Sequence, residues 1–314
     1  MSRNLSLPLL TIGLPVFNGE VTLSRALESL LAQTYGNFEL IIFDNASTDG
    51  TKIICEGYKR RDPRVTYNRN EVNVGALANF NSLLKAGKGS LFMWAACDDS
   101  WEPEFLEELV GLLDANPEAV LAFCQIELVQ FDNGQRYPVR NSTPLGRQRS
   151  IPARLVRFLL FPELESKACM IYGVIRRHTL LEVGGLYKGF EEGQAFGHDN
   201  QTLFLLAMRG TFAISGRVLF NKGIYPITDL RTVMTNPHDI RLNYKAYRKH
   251  ISESEMTGFQ KAAVSSAAFA NYCRKMTRQA LGRALLSLNF RSLEPLYHRS
   301  LLKAPGIMSR LRRP

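Results

Sequence analysis

Three apolar runs, each broken off by a polar turn with a helix start behind it, restrict this chain to one kind of architecture. Leu7 to Phe17 ends at Asn18-Gly19, Phe38 to Phe43 ends at Asp44 to Gly50, and Leu91 to Ala96 ends at Cys97-Asp98-Asp99-Ser100. Runs of this length and apolarity suit strands covered on both faces. Between them, Val21, Leu23, Leu27, Leu30 and Leu31, and later Leu77, Phe80, Leu83 and Leu84, recur at helical spacing. Strand, helix and strand at such short intervals need right-handed crossovers, so the expected fold is α/β around a mostly parallel sheet flanked by helices. The polar ends then lie together on one side, where open α/β sheets bind ligands.

The third run carries the most chemistry. Neighbouring side chains on an extended strand point to opposite faces, so Asp98 and Asp99 can meet different groups, for instance a metal and a ribose hydroxyl. The plainer reading is an acidic loop before a helix from Pro103 to Asn116. Ser47 or Thr48 is expected to cap a helix running to about Lys59. Further on, Val65 to Tyr67 and Val120 to Phe131 read as strands, and Asp132-Asn133-Gly134 as a hairpin turn. Arg136 to Arg157, with six arginines and no acid, reads as a long irregular segment. Cys169 to Ile175 is strand-like, and Gly193 to Gly197 is a loop leading into His198-Asp199-Asn200 and a helix through Arg209. A last strand spans Phe212 to Phe220, and from about His238 the pattern is helical and basic.

The formal charge of +10 is uneven: residues 240–314 hold fifteen Lys or Arg against three Glu, leaving 24 basic and 26 acidic residues before them. The division expected is therefore 1–222 for the catalytic body and 223–314 for a basic, mainly helical extension. Five cysteines, odd in number and without a Cys-x-x-Cys pair, argue against a disulfide frame or a zinc site. No signal peptide or 18-residue apolar span is read, so the expected location is cytoplasmic.

The ordered elements Thr11 to Asn18, Leu30 to Tyr35 running into Phe38 to Ile42, Asp44 to Thr51, Asn73-Val74-Gly75, Cys97 to Ser100 and Gly197-His198-Asp199 resemble the family 2 inverting glycosyltransferases of the GT-A fold, over about residues 7–222. The resemblance implies transfer of a sugar from a nucleoside-diphosphate donor to a hydroxyl, with Mn2+ or Mg2+ offsetting the charge of the leaving diphosphate. It implies that Asp99 holds the metal and that Asp98 lies near the ribose and donor sugar. Pro15, Phe17 and Asn18 would wall the nucleotide pocket, Phe17 being otherwise core. Asp44 and Asn45 would form the base-reading loop and Gly75 a further donor contact. The Asn at 45, where an acid is commoner, leaves the donor open among UDP-, dTDP- and GDP-sugars. Asp199 would be the general base, or merely a helix N-cap, with His198 orienting it or serving only in the loop.

The implied acceptor is a glycan or lipid-linked sugar in cell-surface polysaccharide or glycolipid synthesis, with the tail at the inner face of an anionic membrane or simply packed on the body. Gly-x-Gly-x-x-Gly and Walker elements are absent, which argues against NAD-dependent and P-loop enzymes. A GT-A-like nucleotidyltransferase and a basic nucleic-acid binder are the rival readings. Nucleic acid is not expected as a partner, because the tail has few aromatics and no known motif.

Overall fold

The parallel half of the sheet consists of β1 (Leu10–Val16), β2 (Phe38–Asp44), β3 (Val65–Arg69) and β4 (Leu91–Trp94), ordered β3-β2-β1-β4. The computed structural model describes residues 8–130, 134–139, 150–160, 167–190, 197–224 and 237–287. Every residue of β1 is buried, as a central strand requires. Pro15 is tolerated there because β4 pairs with β1 only as far as Gly13, whose carbonyl takes the Ala95 N–H. The missing proline N–H would face the side on which β4 has already ended, so no ladder bond is lost.

Helices α1 (Leu23–Leu31), α2 (Thr51–Arg61) and α3 (Ala76–Ala86) make the crossovers. Leu23, Ala26, Leu27 and Leu30 form the buried face of α1, whereas Val21 precedes the helix and is exposed. Neither Ser47 nor Thr48 caps α2. Gly50 is the N-cap, and Asp49 just before it accepts from the Thr51 N–H at 3.1 Å and from its hydroxyl at 2.5 Å.

Beyond β4 the sheet changes sense. Strands β5 (Ser100–Trp101), β6 (Ala119–Gln130), β7 (Gln135–Val139), β8 (Val174–Arg176) and β9 (Thr211–Ile224) extend it as β4-β8-β6-β9-β5, with β7 also on β6. Only β6 and β9 are parallel in this half, and β8 runs antiparallel to both its neighbours. The sheet is thus parallel where the sequence showed strand-helix alternation and mixed after it. The expected strand at Cys169 is instead a 3-10 turn, Lys167–Tyr172, before the short β8. Part of the expected irregular segment is ordered, as β7 and α5 (Ile151–Leu160), while 140–149 lie outside the described residues. Asp132 and Asn133 also lie outside them, but β6 and β7 pair antiparallel with Gly134 at φ +68°, as a hairpin requires.

Helix α4 (Phe105–Ala115) covers β6 and β9, and α6 (Arg177–Glu182) leads from β8 towards α7 (His198–Arg209). Phe220 of β9 centres the core here, its ring lying 5.7 Å from Trp101, 5.9 Å from Phe123 and 6.1 Å from Tyr172. The expected boundary at residue 222 falls inside β9. Helices α8 (Pro237–Glu253) and α9 (Gly258–Ser287) pack on the same body: the Tyr247 ring meets Phe204 of α7 at 4.9 Å, and Val264, Ala267 and Ala268 join the core. All five cysteines are free thiols, and no described helix is long and apolar enough to cross a membrane.

Candidate active site

The carboxyl ends of β1 and β2 are tied together by their loops. Asn18 stands at φ +52° and donates its N–H to Ser47 Oγ at 2.9 Å, while its Oδ1 accepts from the Thr48 N–H at 2.9 Å. Gly19 N–H donates to Thr51 Oγ1 at 2.8 Å. Asn18 therefore fixes the two loops to each other. Phe17, 48% exposed, is not core, and its ring is open at the carboxyl end of β1. Pro15 is buried.

Asp44 and Asn45 turn inward. The Asp44 carboxylate accepts from the Ser47 N–H at 2.8 Å and the Tyr67 hydroxyl at 2.9 Å, with Arg69 Nε at 3.3 Å. Asn45 Oδ1 accepts from Asn70 Nδ2 at 3.0 Å and the Val74 N–H at 2.9 Å, and its Nδ2 donates to Asn73 Oδ1 at 2.7 Å. A carboxamide spent on three such bonds has little left for a base edge. The expected reading role for these two residues gives way to a scaffolding one: they hold the 70–75 loop, in which Gly75 (φ +83°) precedes α3 with its N–H on Asn73 Oδ1. Ala46, at φ +65°, is a strained position within the loop after β2.

The acidic pair divides differently from expectation. Pairing of Ser100 in β5 with Asn221 in β9 brings Asp99 against Lys222 and Gly223. Asp99 is 0% exposed, and its carboxylate accepts from Lys222 Nζ at 2.9 and 3.2 Å and from the Gly223 N–H at 2.9 Å. Burial pushes its carboxyl up to about 6, the Asp98 charge adding to the rise and Lys222 and the Gly223 N–H opposing it. Burial works downward on the Lys222 ammonium, but Asp99, Tyr172 and Asp98 together hold it above the ordinary lysine range. Asp99 is thus enclosed and occupied, which is unsuited to the metal-ligand role expected of it. Asp98, with its side chain 28% exposed and Oδ1 3.8 Å from Lys222 Nζ, is the carboxylate that faces outward.

Among the described residues, no three His, Cys, Asp or Glu side chains converge to hold a metal unaided. Asp98 fits a cation that draws its other ligands from phosphate oxygens and water, as Mg2+ commonly does.

Asp199 acts electrostatically on two residues beside this cluster. The charges of Asp99 and Asp199 both act on Tyr172 and Cys169, and the Cys169 thiol is pushed up to about 12, chiefly by burial. Lys222 Nζ lies 5.4 Å from the centre of the Tyr172 ring. Asp199 is not the N-cap of α7. Gly197, at φ +107°, occupies that place, and Asp199 sits in the first turn with its Oδ1 taking the Asn200 N–H at 2.7 Å. His198 Nδ1 donates to Tyr187 O at 2.6 Å, fixing the start of the helix.

A family model for glycosyl transferase family 2 matches residues 11–179. The chain belongs to glycosyl transferase family 2. It is similar to an uncharacterized glycosyltransferase of Rickettsia typhi, 26% identical over 260 residues that cover 82% of this chain and 76% of the relative. A shorter match, 35% identical over 99 residues (32% of this chain, 36% of the other), joins it to an Escherichia coli protein described as a colanic acid biosynthesis glycosyl transferase, WcaA. Among solved structures it resembles residues 1–349 of Staphylococcus aureus TarS in complex with UDP-GlcNAc, with TM-score 0.63, 18% identity and 84% and 72% of the two chains covered. It also resembles the Pyrobaculum calidifontis mannosyltransferase PcManGT in complex with GDP-Man and Mn2+, with TM-score 0.59, 16% identity and coverage of 95% and 84%. The fold is GT-A, and the protein is a glycosyltransferase.

Three residues of this family 2 glycosyltransferase that the sequence did not single out complete the site. Lys222 and Tyr172 lie within or beside segments whose structure was expected to be different. Asn243 of α8 accepts from Gln201 Nε2 of α7 at 3.1 Å through both its backbone and side-chain oxygens, so a helix of the basic extension steadies the helix that carries Asp199.

Proposed function

We propose that this glycosyltransferase moves a sugar from a nucleoside-diphosphate donor to an acceptor hydroxyl with inversion at the anomeric carbon. The observation that carries the reading is an outward carboxylate (Asp98) 3.8 Å from Lys222, whose ammonium lies 5.4 Å from the centre of a Tyr172 ring that also feels the charge of a second carboxylate (Asp199), at the sheet end where ligands of such folds bind. The acceptor hydroxyl gives its proton to Asp199 as its oxygen attacks the anomeric carbon from the face opposite the diphosphate. The bond from that carbon to the phosphate oxygen breaks and its electron pair leaves with the diphosphate. A divalent cation at Asp98, when bound, supplies charge compensation for the departing group. The exposed Phe17 ring offers a face to the base.

The complexes of TarS with UDP and UDP-GlcNAc and of PcManGT with GDP-Man and Mn2+ support a sugar-nucleotide donor and a divalent cation, with UDP-, dTDP- and GDP-sugars all admissible. Likeness to a colanic acid enzyme supports an acceptor among glycans or lipid-linked sugars of polysaccharide synthesis. A basic C-terminal region suits work at an anionic membrane face.

The test is Asp199→Asn, which keeps shape and removes the proton acceptor. Transfer falls by roughly 10²–10⁴ while donor binding is kept. A loss below about threefold would remove Asp199 from the mechanism.

A further inference from the structure

The charge arrangement around Lys222 bears on how a cation enters the site. Two carboxylates stand side by side in sequence, yet a single ammonium compensates both, bonding the enclosed Asp99 at 2.9 and 3.2 Å and standing 3.8 Å from Asp98. The Gly223 N–H at 2.9 Å occupies Asp99 further. A bare divalent cation approaching Asp98 therefore meets a resident positive charge and finds one free carboxylate instead of two. Elsewhere among the described residues no third His, Cys, Asp or Glu turns toward it. A diphosphate changes this balance, since its oxygens supply both the missing ligands and the missing negative charge.

We propose that Lys222 is the site's built-in counter-ion, which closes the Asp98–Asp99 pair to free divalent cations so that the metal is recruited only together with the nucleotide diphosphate. This rests on the reading of Asp98 as the cation-facing carboxylate. Its immediate consequence is an order of binding: the metal and the nucleotide arrive as a complex, or the nucleotide precedes the metal. Lys222 is accordingly a positioning residue for the carboxylates, and removing its charge releases Asp99 to act beside Asp98.

The experiment is Mn2+ binding to the full chain, followed by the loss of the free-ion electron paramagnetic resonance signal. It is run without nucleotide and with UDP, dTDP or GDP, on the wild type and on Lys222→Gln, Lys222→Met and Lys222→Arg, with circular dichroism melts to confirm folding. The wild type and Lys222→Arg are expected to take up Mn2+ only with a nucleoside diphosphate. The neutral variants are expected to bind Mn2+ alone, more tightly than the wild type by roughly tenfold or more. Lys222→Gln retains a hydrogen-bond donor for Asp99 and serves where Lys222→Met fails to fold. Tight binding of Mn2+ alone to the wild type, or no gain in a folded neutral variant, would overturn the proposal. If no diphosphate brings Mn2+ to the wild type while the neutral variants bind it alone, closure of the pair by Lys222 stands, but recruitment of the metal with the diphosphate is overturned together with the metal-assisted donor reading.

Discussion

Asn243 stands over Gly197 so closely that a Cβ added to the glycine would lie 2.7 Å from Asn243 Cγ, and closer still to its Nδ2 and Oδ1. Gly197 also holds φ +107°, a backbone region that L residues with a side chain seldom enter. The residue two places before Asp199 is thus fixed twice over, by its own conformation and by a helix of the C-terminal region.

Gly197→Ala should therefore disturb the start of α7. Strain of about 1–3 kcal/mol falls at the turn that carries Asp199, the proposed base, so transfer is expected to drop roughly tenfold or more while the Mn2+-dependent binding of donor changes little. Steady-state kinetics set beside donor titration would show the split. Equal loss in both would mean that the turn serves the donor pocket instead.

Asn45→Ala removes three hydrogen bonds that hold the 70–75 loop and leaves Asn73 and Val74 to find others. A loss of about 1–3 kcal/mol in urea unfolding is expected. Donor affinity is expected to fall with it, since the loop borders the site; wild-type stability in this variant would contradict the scaffolding role.

The sequence disclosed the parallel half of the sheet because its strands are continuous apolar runs and each ends in a recognisable turn. It disclosed less where partners are distant in the chain. Asp98 and Asp99 look alike in sequence, and which one is enclosed depends on β5 pairing with β9 more than a hundred residues away. Lys222 is not legible in the sequence because the apolar run ends at Phe220, although Phe220 and Lys222 lie on one face of the strand as a period of two requires. Asn45 appeared free to read a base because nothing local showed that Asn70 and Val74 would claim its carboxamide. The glycine before His198-Asp199 was a legible signal for a helix cap, and the expectation placed that cap two residues late.

His250 gives a pH dependence that can be isolated. Its ring packs against Tyr187 at 5.2 Å and Phe204 at 6.4 Å, and burial holds its pKa below the ordinary histidine value of 6.5, with Glu253 opposing and Lys249 adding to the drop. The folded state thus prefers the neutral ring. Its contribution to stability is full above pH 6.5 and is lost as pH falls below that, because the unfolded chain binds the proton first. Melting temperatures from pH 8 to pH 5 should fall more steeply for the wild type than for His250→Phe; parallel curves would contradict this.

The exposed face of α9 carries Phe259, 86% exposed, and Phe269, with Lys261 and Arg274 on the same helix, while Val264, Ala267 and Ala268 are apolar residues it buries. Ala267 is therefore internal and not open to a membrane, and Leu281, Leu285 and Leu288 lie beyond the described side chains. Co-sedimentation with phosphatidylglycerol vesicles at low salt should fall when Phe259 and Phe269 are both changed to Ser, and when salt is raised. Retention of the wild type in the supernatant at low salt would show that this region only packs on the body.

The central claim is that a sugar nucleotide and a divalent cation meet at Asp98. Thermal shift with UDP-, dTDP- and GDP-sugars, with Mn2+ and with chelator, on the wild type and Asp98→Asn, tests it most directly, since a ligand that binds only the native state raises its melting temperature. The account predicts a rise for the wild type with at least one donor in Mn2+, and little or none in chelator or in Asp98→Asn. An equal rise in Asp98→Asn, or no rise with any donor in Mn2+, would contradict it.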